Sequence, residues 1–186
     1  MDDETRQRIL EYVKPLAVGL DGLTNYGDVE RAVAAATAIA AGTPGADPDL
    51  LFLLAVFSGQ EKWVSRMGHR SRTEIFLASA GVSRRTIAAL FRGLGRFAQA
   101  PRTPEEEIVH DAVALDALGA YGVALCLVEA YRERLDIPEM AAAIEEAAGR
   151  ELKTERARDL AGPRRQAMRD FAARLTREHA EFGKLT

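Results

Sequence analysis

Apolar residues recur every three or four positions along most of the chain, which is the spacing of one face of an α-helix. This spacing predicts a first amphipathic helix over residues 9–20 and a second over residues 29–41, which ends at Gly42. Residues 50–56 are apolar on almost every side, so they predict a helix at the centre of the fold. Strand-like alternation of useful length does not occur, and the pattern therefore predicts an all-α protein.

Turn-forming residues separate the predicted helices. The run TPGADP at residues 43–48 predicts a turn, and the weaker periodicity of residues 58–68 predicts a loop. A helix is then predicted over residues 71–80, ending at Gly81. The next helix begins at Ser83, whose hydroxyl can cap it.

Proline and glycine mark the boundaries in the second half of the chain. Thr103 followed by Glu106 matches a capping box for a helix through residues 108–120. Gly119 and Gly122 interrupt that helix. The remaining predicted boundaries are a helix end near Leu135, a first helical turn at Pro138 and a last long helix that starts near Pro163.

Composition narrows the possible partners and the compartment. The 186 residues can bury one sizeable core, which favours a single domain over residues 1–186. A net charge of −3 argues against nucleic acid, because a general nucleic-acid surface needs a basic face. The longest apolar runs are much shorter than the roughly 20 residues that cross a bilayer, so no membrane partner is expected. A single cysteine, Cys126, and an acidic start without a secretory pattern favour the cytoplasm.

The run IVHDAVALDALGA at residues 108–120 carries the most information about family. It resembles the signature of the HD phosphohydrolase superfamily, in which a run such as DADRLDALGA supplies the last metal ligand. Val113 stands where the family has that ligating aspartate. The resemblance implies an HD-like helical bundle.

Shorter matches follow in the order that the family has them. The run DVERA at residues 28–32 is similar to the family's His-x-x-Arg-Val element, with Asp28 in place of the histidine. The run LAVFSGQE at residues 54–61 is similar to its Leu-Leu-His-Asp-Ile-Gly element, with Ser58 and Gly59 in place of the His-Asp pair. Gly68-His69 and the runs at 77–83 and 152–161 extend the resemblance over residues 26–178.

The resemblance implies a metal chemistry that this chain lacks the ligands to perform. The family binds a divalent cation through two histidines and two aspartates, and the cation polarises a phosphoryl oxygen and supplies hydroxide near neutral pH. The corresponding residues here are Asp28, Ser58, Gly59 and Val113. One carboxylate does not make a site, since even sparse catalytic sites use about three protein ligands. We therefore expect no metal and no cofactor; the alternative is a rearranged set of Asp28, His69 and Asp111.

A run of basic residues follows the lost ligands in sequence. Its members are Lys62, Arg66, His69, Arg70 and Arg72. One interpretation is a pocket for an anion, with at least one of Lys62, His69 and Arg72 pointing inward and Arg70 facing solvent. The other interpretation is a solvated loop.

The same region supplies the other candidate functional residues. The candidate acids and bases are Asp28, Lys62 and His69. The candidate ligand-binding residues are Ser58, Trp63, Arg66, Arg72, Asp111 and Tyr121. Three of these residues have an ordinary structural alternative: Asp28 can cap a helix, Trp63 can pack in the interior and His69 can lie on the surface.

Three functions are consistent with these residues. The first is a pseudoenzyme whose inherited cavity binds a small anionic metabolite or a partner protein. The second is a metal-independent isomerase, lyase or cyclase of small-molecule biosynthesis, which uses acid-base residues of the old pocket. The third is a phosphohydrolase with a rearranged metal site. The sequence leaves open whether the chain is an enzyme.

Overall fold

The structure is a computed structural model that describes residues 1–17, 26–64 and 66–182. Every regular element in these ranges is helical, which confirms the all-α prediction. The helices group into two compact units, Met1–Val113 and Ala114–Thr186. The single domain predicted over residues 1–186 stays a prediction.

The first unit consists of helices joined by short connections. They are α1 (Asp3–Val13), α2 (Tyr26–Ala40), α3 (Pro48–Phe57), α4 (Glu61–Val64), α5 (Met67–Ser79), α6 (Arg84–Leu94) and α7 (Pro104–Asp116), with 3-10 turns at Lys14–Leu16 and Ser58–Gln60. The last three residues of α7 belong to the second unit. Helix α3 packs against α1, α2 and α6.

Helix α3 is the centre of the first unit, as its sequence predicts. The Asp47 carboxylate accepts hydrogen bonds from the backbone N–H groups of Asp49 and Leu50 at 2.9 and 3.2 Å, and Pro48 occupies the first turn. These two features fix where the helix begins, because they satisfy or remove N–H groups that have no partner within the helix. All residues from 51 to 57 are buried.

The loop predicted over residues 58–68 is wrong. A 3-10 turn at Ser58–Gln60 continues directly into α4, and α5 begins at Met67, four residues before the predicted start. Segments of three or four residues are too short to display a helical period, which explains the error. Helix α1 begins at Asp3 and ends at Val13, before a 3-10 turn that contains Pro15, so the helix predicted over residues 9–20 is wrong for residues 14–17. Residues 18–20 of that prediction lie outside the described residues.

The second unit packs α9 (Ile137–Ala148) against both α8 (Ala120–Glu133) and α10 (Glu155–Phe182). Asp136 and Glu139 form a capping box at the start of α9, where Pro138 takes the predicted first-turn position. The prediction that the last helix starts near Pro163 is wrong, because Pro163 lies inside α10. The Thr154 hydroxyl accepts the N–H of Ala157 at 3.3 Å and caps the true start.

Two other boundary predictions are confirmed only in part. Gly119 adopts a φ of 80° between α7 and α8, a conformation that favours glycine, whereas Gly122 lies inside α8 and does not interrupt it. The Thr103 hydroxyl accepts the N–H of Glu106 at 3.4 Å as a capping box requires, but the Glu106 carboxylate accepts the N–H of Arg102 at 2.8 Å instead of that of Thr103.

Candidate functional site

Asp28 lies in the first turn of α2, with its side chain 27% exposed. The helix begins two residues earlier, at Tyr26, so Asp28 is inside the helix and the capping alternative is wrong. Its carboxylate forms an ion pair with Arg31, one helical turn further on. A carboxylate in the first turn also complements the positive end of the helix dipole. Asp28 is therefore a neutralised acid at the start of a helix that packs against α3 and the Ser58–Gln60 turn.

Ser58, Gly59 and Val113, which the resemblance aligns with the other metal ligands of the family, differ in burial and in surroundings. Ser58 is buried at the end of α3, and its hydroxyl donates a hydrogen bond to the carbonyl of Ala55 at 2.9 Å. Gly59 has open space within 4 Å of where a Cβ would stand. Val113, on α7, is 42% exposed. Space for a larger side chain therefore exists at Gly59 and Val113, although neither residue offers a ligand atom.

The donors present do not fit the divalent cation that the family binds. Ser58 uses its hydroxyl proton on a backbone carbonyl, and Asp28 is already paired with a guanidinium. Among the described residues, no three or more His, Cys, Asp or Glu side chains are grouped to hold a metal ion. The rearranged set of Asp28, His69 and Asp111 is thus not assembled in this part of the chain.

Trp63 and His69 form the aromatic contact of the region. The indole and imidazole rings stack with centroids 4.0 Å apart and planes inclined by 29°. His69 is half-buried, and its Nδ1 atom is shielded from solvent without a hydrogen-bond partner among the described residues. The His69 N–H donates to the carbonyl of Arg66 at 2.9 Å, which sets the first turn of α5. Two residues that were singled out separately from the sequence are thus in contact, and one ring nitrogen of His69 is buried without a hydrogen-bond partner among the described residues.

The cations around this stack lie mainly on the surface. Lys62, Arg66 and Arg72 are exposed. Of the three residues predicted to supply an inward-pointing group, only His69 is partly buried. Arg70 is 52% exposed, in agreement with its predicted solvent-facing position, and its guanidinium also pairs with Glu74 at 2.9 Å and lies 4.7 Å from the ring centroid of Phe91.

Asp111 is fully buried on α7, and its carboxylate lies 2.9 Å from the Nδ1 atom of His110. Asp111 was named from the sequence as a candidate ligand-binding residue, and its pairing with His110 was not predicted. Neighbouring residues on a helix point about 100° apart, so side-chain geometry rather than periodicity brings the two together. An adjacent His and Asp in an otherwise apolar run was the available signal. Tyr121 is half-buried on α8 in the second unit.

Two surface cavities lie away from the predicted site residues. One in the first unit, of about 360 Å³, lies between the start of α1 and the residues from Ala80 to Ser83 that precede α6. One in the second unit, of about 510 Å³, has Cys126, Glu129, Glu133, Glu146 and Arg150 among its lining residues. Burial raises the pKa of the Cys126 thiol above its ordinary value. Neither cavity was predicted from the sequence.

Solved structures resemble this fold over nearly its whole length. Lin1889 of Listeria innocua is 19% identical, with a TM-score of 0.77 over 97% of this chain and 98% of that one. A protein of Lactobacillus plantarum is 18% identical, with a TM-score of 0.75 over 97% and 99%. Bacillus subtilis YpgQ in complex with ADP is 18% identical, with a TM-score of 0.68 over 93% and 97%. No protein-family model matches the chain, and no curated protein matches it.

At these identities the likeness establishes the fold and leaves the activity open. The alignments span both units and cover almost all of each compared chain. One fold serves many functions, so the function has to be argued from the residues of the site.

Proposed function

We propose that this chain is a degenerate HD-superfamily protein that binds a small phosphate-bearing metabolite, of the nucleotide class, without metal-dependent hydrolysis. The observation that carries the proposal is that Ser58, Gly59 and Val113 stand where the family that the sequence resembles has a histidine and two aspartates. The one carboxylate left, Asp28, is paired with Arg31. A cavity that has lost its cation can retain binding while it loses the step that the cation performs.

The choice of ligand rests on the residues beside the lost ligands and on one structural neighbour. YpgQ was crystallised with ADP, and its fold resembles this one over 93% of the chain. The Trp63–His69 stack offers an aromatic face and a ring nitrogen, and Arg66 supplies a guanidinium three residues before His69. Arginine forks recognise phosphate oxygens in pairs, which suits a diphosphate.

A metal-independent enzyme is the second candidate, with Asp28, Lys62 and His69 as acids and bases. The observation in its favour is the Nδ1 atom of His69, which is shielded from solvent and bonded to no described residue. A histidine that is half-buried with a ring nitrogen unused can exchange a proton with a bound substrate. The reaction class would be isomerisation, elimination or cyclisation.

Titration calorimetry with ADP, in buffer that contains a chelator, tests the binding proposal. We expect one ADP per chain in this titration. In a separate phosphate-release assay without chelator, we expect no phosphate from ADP with or without added manganese. Arg66→Ala or His69→Gln should weaken binding roughly ten- to a hundredfold, because a charge-assisted contact is worth about 1.5–3 kcal/mol and about 1.4 kcal/mol is one decade. Arg156→Ala, at an exposed position on α10, is the matched control and should bind ADP like the parent.

These two assays separate the alternatives. Absence of ADP binding at millimolar concentration would overturn the nucleotide proposal. Release of phosphate on addition of manganese, lost in Asp28→Asn, would instead support a phosphohydrolase with a rearranged site.

A further inference from the structure

Charge is distributed very unevenly along this chain. Residues 62–103 contain nine Lys or Arg and a single acidic residue, Glu74. The rest of the chain therefore holds 16 basic and 27 acidic residues, so a net charge of −3 conceals a strongly basic segment. Eight of the nine cations are arginines. The net charge of the whole chain therefore does not exclude a nucleic-acid surface on this segment.

The fold turns part of this charge outward on one helix. Arg84, Arg85 and Arg92 are exposed on α6, with exposed Ala88 among them. Positions 84, 88 and 92 follow one another at a spacing of four, so they lie along one side of the helix, and Arg85 borders them. We call these four residues the α6 arginine face. None of its arginines forms an ion pair with a described residue, whereas Arg70 pairs with Glu74 and Arg96 with Glu106.

The opposite side of α6 holds the helix in place. Ile87, Leu90 and Leu94 are buried, and α6 packs against α3 at Gly93, where an added Cβ would stand 2.7 Å from a methyl carbon of Leu54. The Ser83 hydroxyl accepts the N–H of Thr86 at 3.1 Å and caps the helix. The arginines therefore project from a rigid element, which reduces the entropy lost when they bind a partner.

We propose that the α6 arginine face binds the phosphate backbone of a nucleic acid, without reading its sequence. The distance along the helix from residue 84 to residue 92 is about 12 Å at 1.5 Å per residue. This distance spans about three to four nucleotides at about 3.4 Å per nucleotide of one strand. Guanidinium forks match phosphate oxygens, and the small Ala88 side chain lets a backbone approach the helix.

The same face is poorly suited to a membrane. Helices that lie on a bilayer insert a row of large apolar side chains between the headgroups. On α6 Ile87, Leu90 and Leu94 pack into the protein, and Ala88 is the apolar residue among the outward arginines. The nearest aromatic residue, Phe91, is half-buried, and the guanidinium of Arg70 lies 4.7 Å from its ring centroid, so Arg70 covers the ring against stacking on bases. Duplex and single-stranded nucleic acid should accordingly bind with similar affinity at low salt.

Binding of a fluorescently labelled 20-base-pair duplex and a 20-nucleotide single strand to the full chain tests the proposal. We expect measurable binding at 50 mM salt that weakens steeply by 200 mM. Three phosphate contacts give a slope of log affinity on log salt of about −2.7 for duplex. The variant Arg84→Gln/Arg85→Gln/Arg92→Gln should bind at least tenfold more weakly at 50 mM salt and lose most of that slope.

The control variant Arg8→Gln/Arg156→Gln/Arg177→Gln removes the same charge from exposed positions elsewhere. It should bind within about twofold of the parent. The α6 variant should melt within about 1 °C of the parent or above it, since removing the unfavourable positive charges of Arg84 and Arg85 from the first turn offsets the loss of the favourable charge of Arg92 from the last turn. Equal loss in the control, or no binding by the parent at 50 mM salt, would overturn the proposal. Stronger binding to polyglutamate or to anionic lipid vesicles than to duplex would also overturn it.

Discussion

The indole of Trp63 stacks on the imidazole of His69 at 4.0 Å between ring centroids, and this contact joins α4 to the first turn of α5. Trp63 is the only tryptophan of the chain, and His69 is one of three histidines. The stack therefore places a spectroscopic reporter against one titratable group in the candidate site.

Trp63 emission should change in intensity or wavelength in His69→Gln, because the substitution removes the ring that stacks on the indole. His179→Gln, at an exposed position on α10, is the control and should leave the emission unchanged. Emission that changes equally in both variants would show that the ring contact does not form in solution.

Asp111→Asn should lower the free energy of unfolding by about 1–3 kcal/mol, the cost of leaving a buried polar group without its partner. The Asp111 carboxylate is fully buried against His110, and an amide in its place brings in a buried N–H₂ donor. Urea unfolding measures the effect. Asp159→Asn, at an exposed position on α10, is the control and should change stability by less than about 0.5 kcal/mol.

Gly122→Ala should destabilise the fold, whereas Gly68→Ala should stabilise it by up to about 1 kcal/mol. A Cβ at position 122 would stand 2.1 Å from the carbonyl oxygen of Ala117, and backbone cannot move aside as a side chain can. The same addition at position 68, in the first turn of α5, would meet open space within 4 Å, so alanine there improves helix propensity. Thermal melting of both variants tests the pair. A Gly122→Ala protein as stable as the parent would contradict the close approach.

Cys126 should react with iodoacetamide more slowly than free cysteine at pH 8, since burial raises the pKa of its thiol and the thiolate is the reacting species. Unfolding in urea should remove the difference. Because the thiol pKa is higher in the folded protein than in the unfolded chain, the protonated thiol stabilises the fold. This stabilisation is fully present below the pKa of the thiol in the unfolded chain. It is lost as the pH rises through the folded pKa. Cys126→Ser should accordingly reduce the loss of stability at alkaline pH.

Restoring the ligand types should create a manganese site if the family resemblance is correct. The variant combines Asp28→His, Ser58→His, Gly59→Asp and Val113→Asp. Without metal it should be less stable than the parent, because new imidazoles and carboxylates lose hydration where they are buried. Manganese at a hundredfold excess over the dissociation constant should then add about 2.7 kcal/mol. The parent is the control, and an equal manganese shift in the melting temperature of both proteins would contradict the alignment.

The periodic apolar pattern was sufficient to predict the long elements. Residues 50–56 are apolar on every side, and such a helix is stable only where other helices surround it, which is the position of α3. Local polar chemistry likewise predicted the cap at Ser83 and the first turn at Pro138, because both depend on neighbours within one helical turn. Elements of three or four residues, such as Ser58–Gln60 and α4, could not be predicted in this way, because they are too short to show a helical period.

The tertiary structure decided the contacts that the spacing of apolar residues in the sequence does not predict. The Trp63–His69 stack, the burial of Asp111 against His110 and the close approach of Gly122 to Ala117 depend on where connections place side chains in space. The mismatch of Ser58, Gly59 and Val113 with the histidine and aspartates of the family that the sequence resembles was already fixed by residue type, since no packing can give valine a donor atom. The outward direction of Arg84, Arg85 and Arg92 follows from the amphipathic period of α6, but the tertiary structure decided that they form no ion pair with a described residue, because acidic residues distant in sequence could have lain beside them.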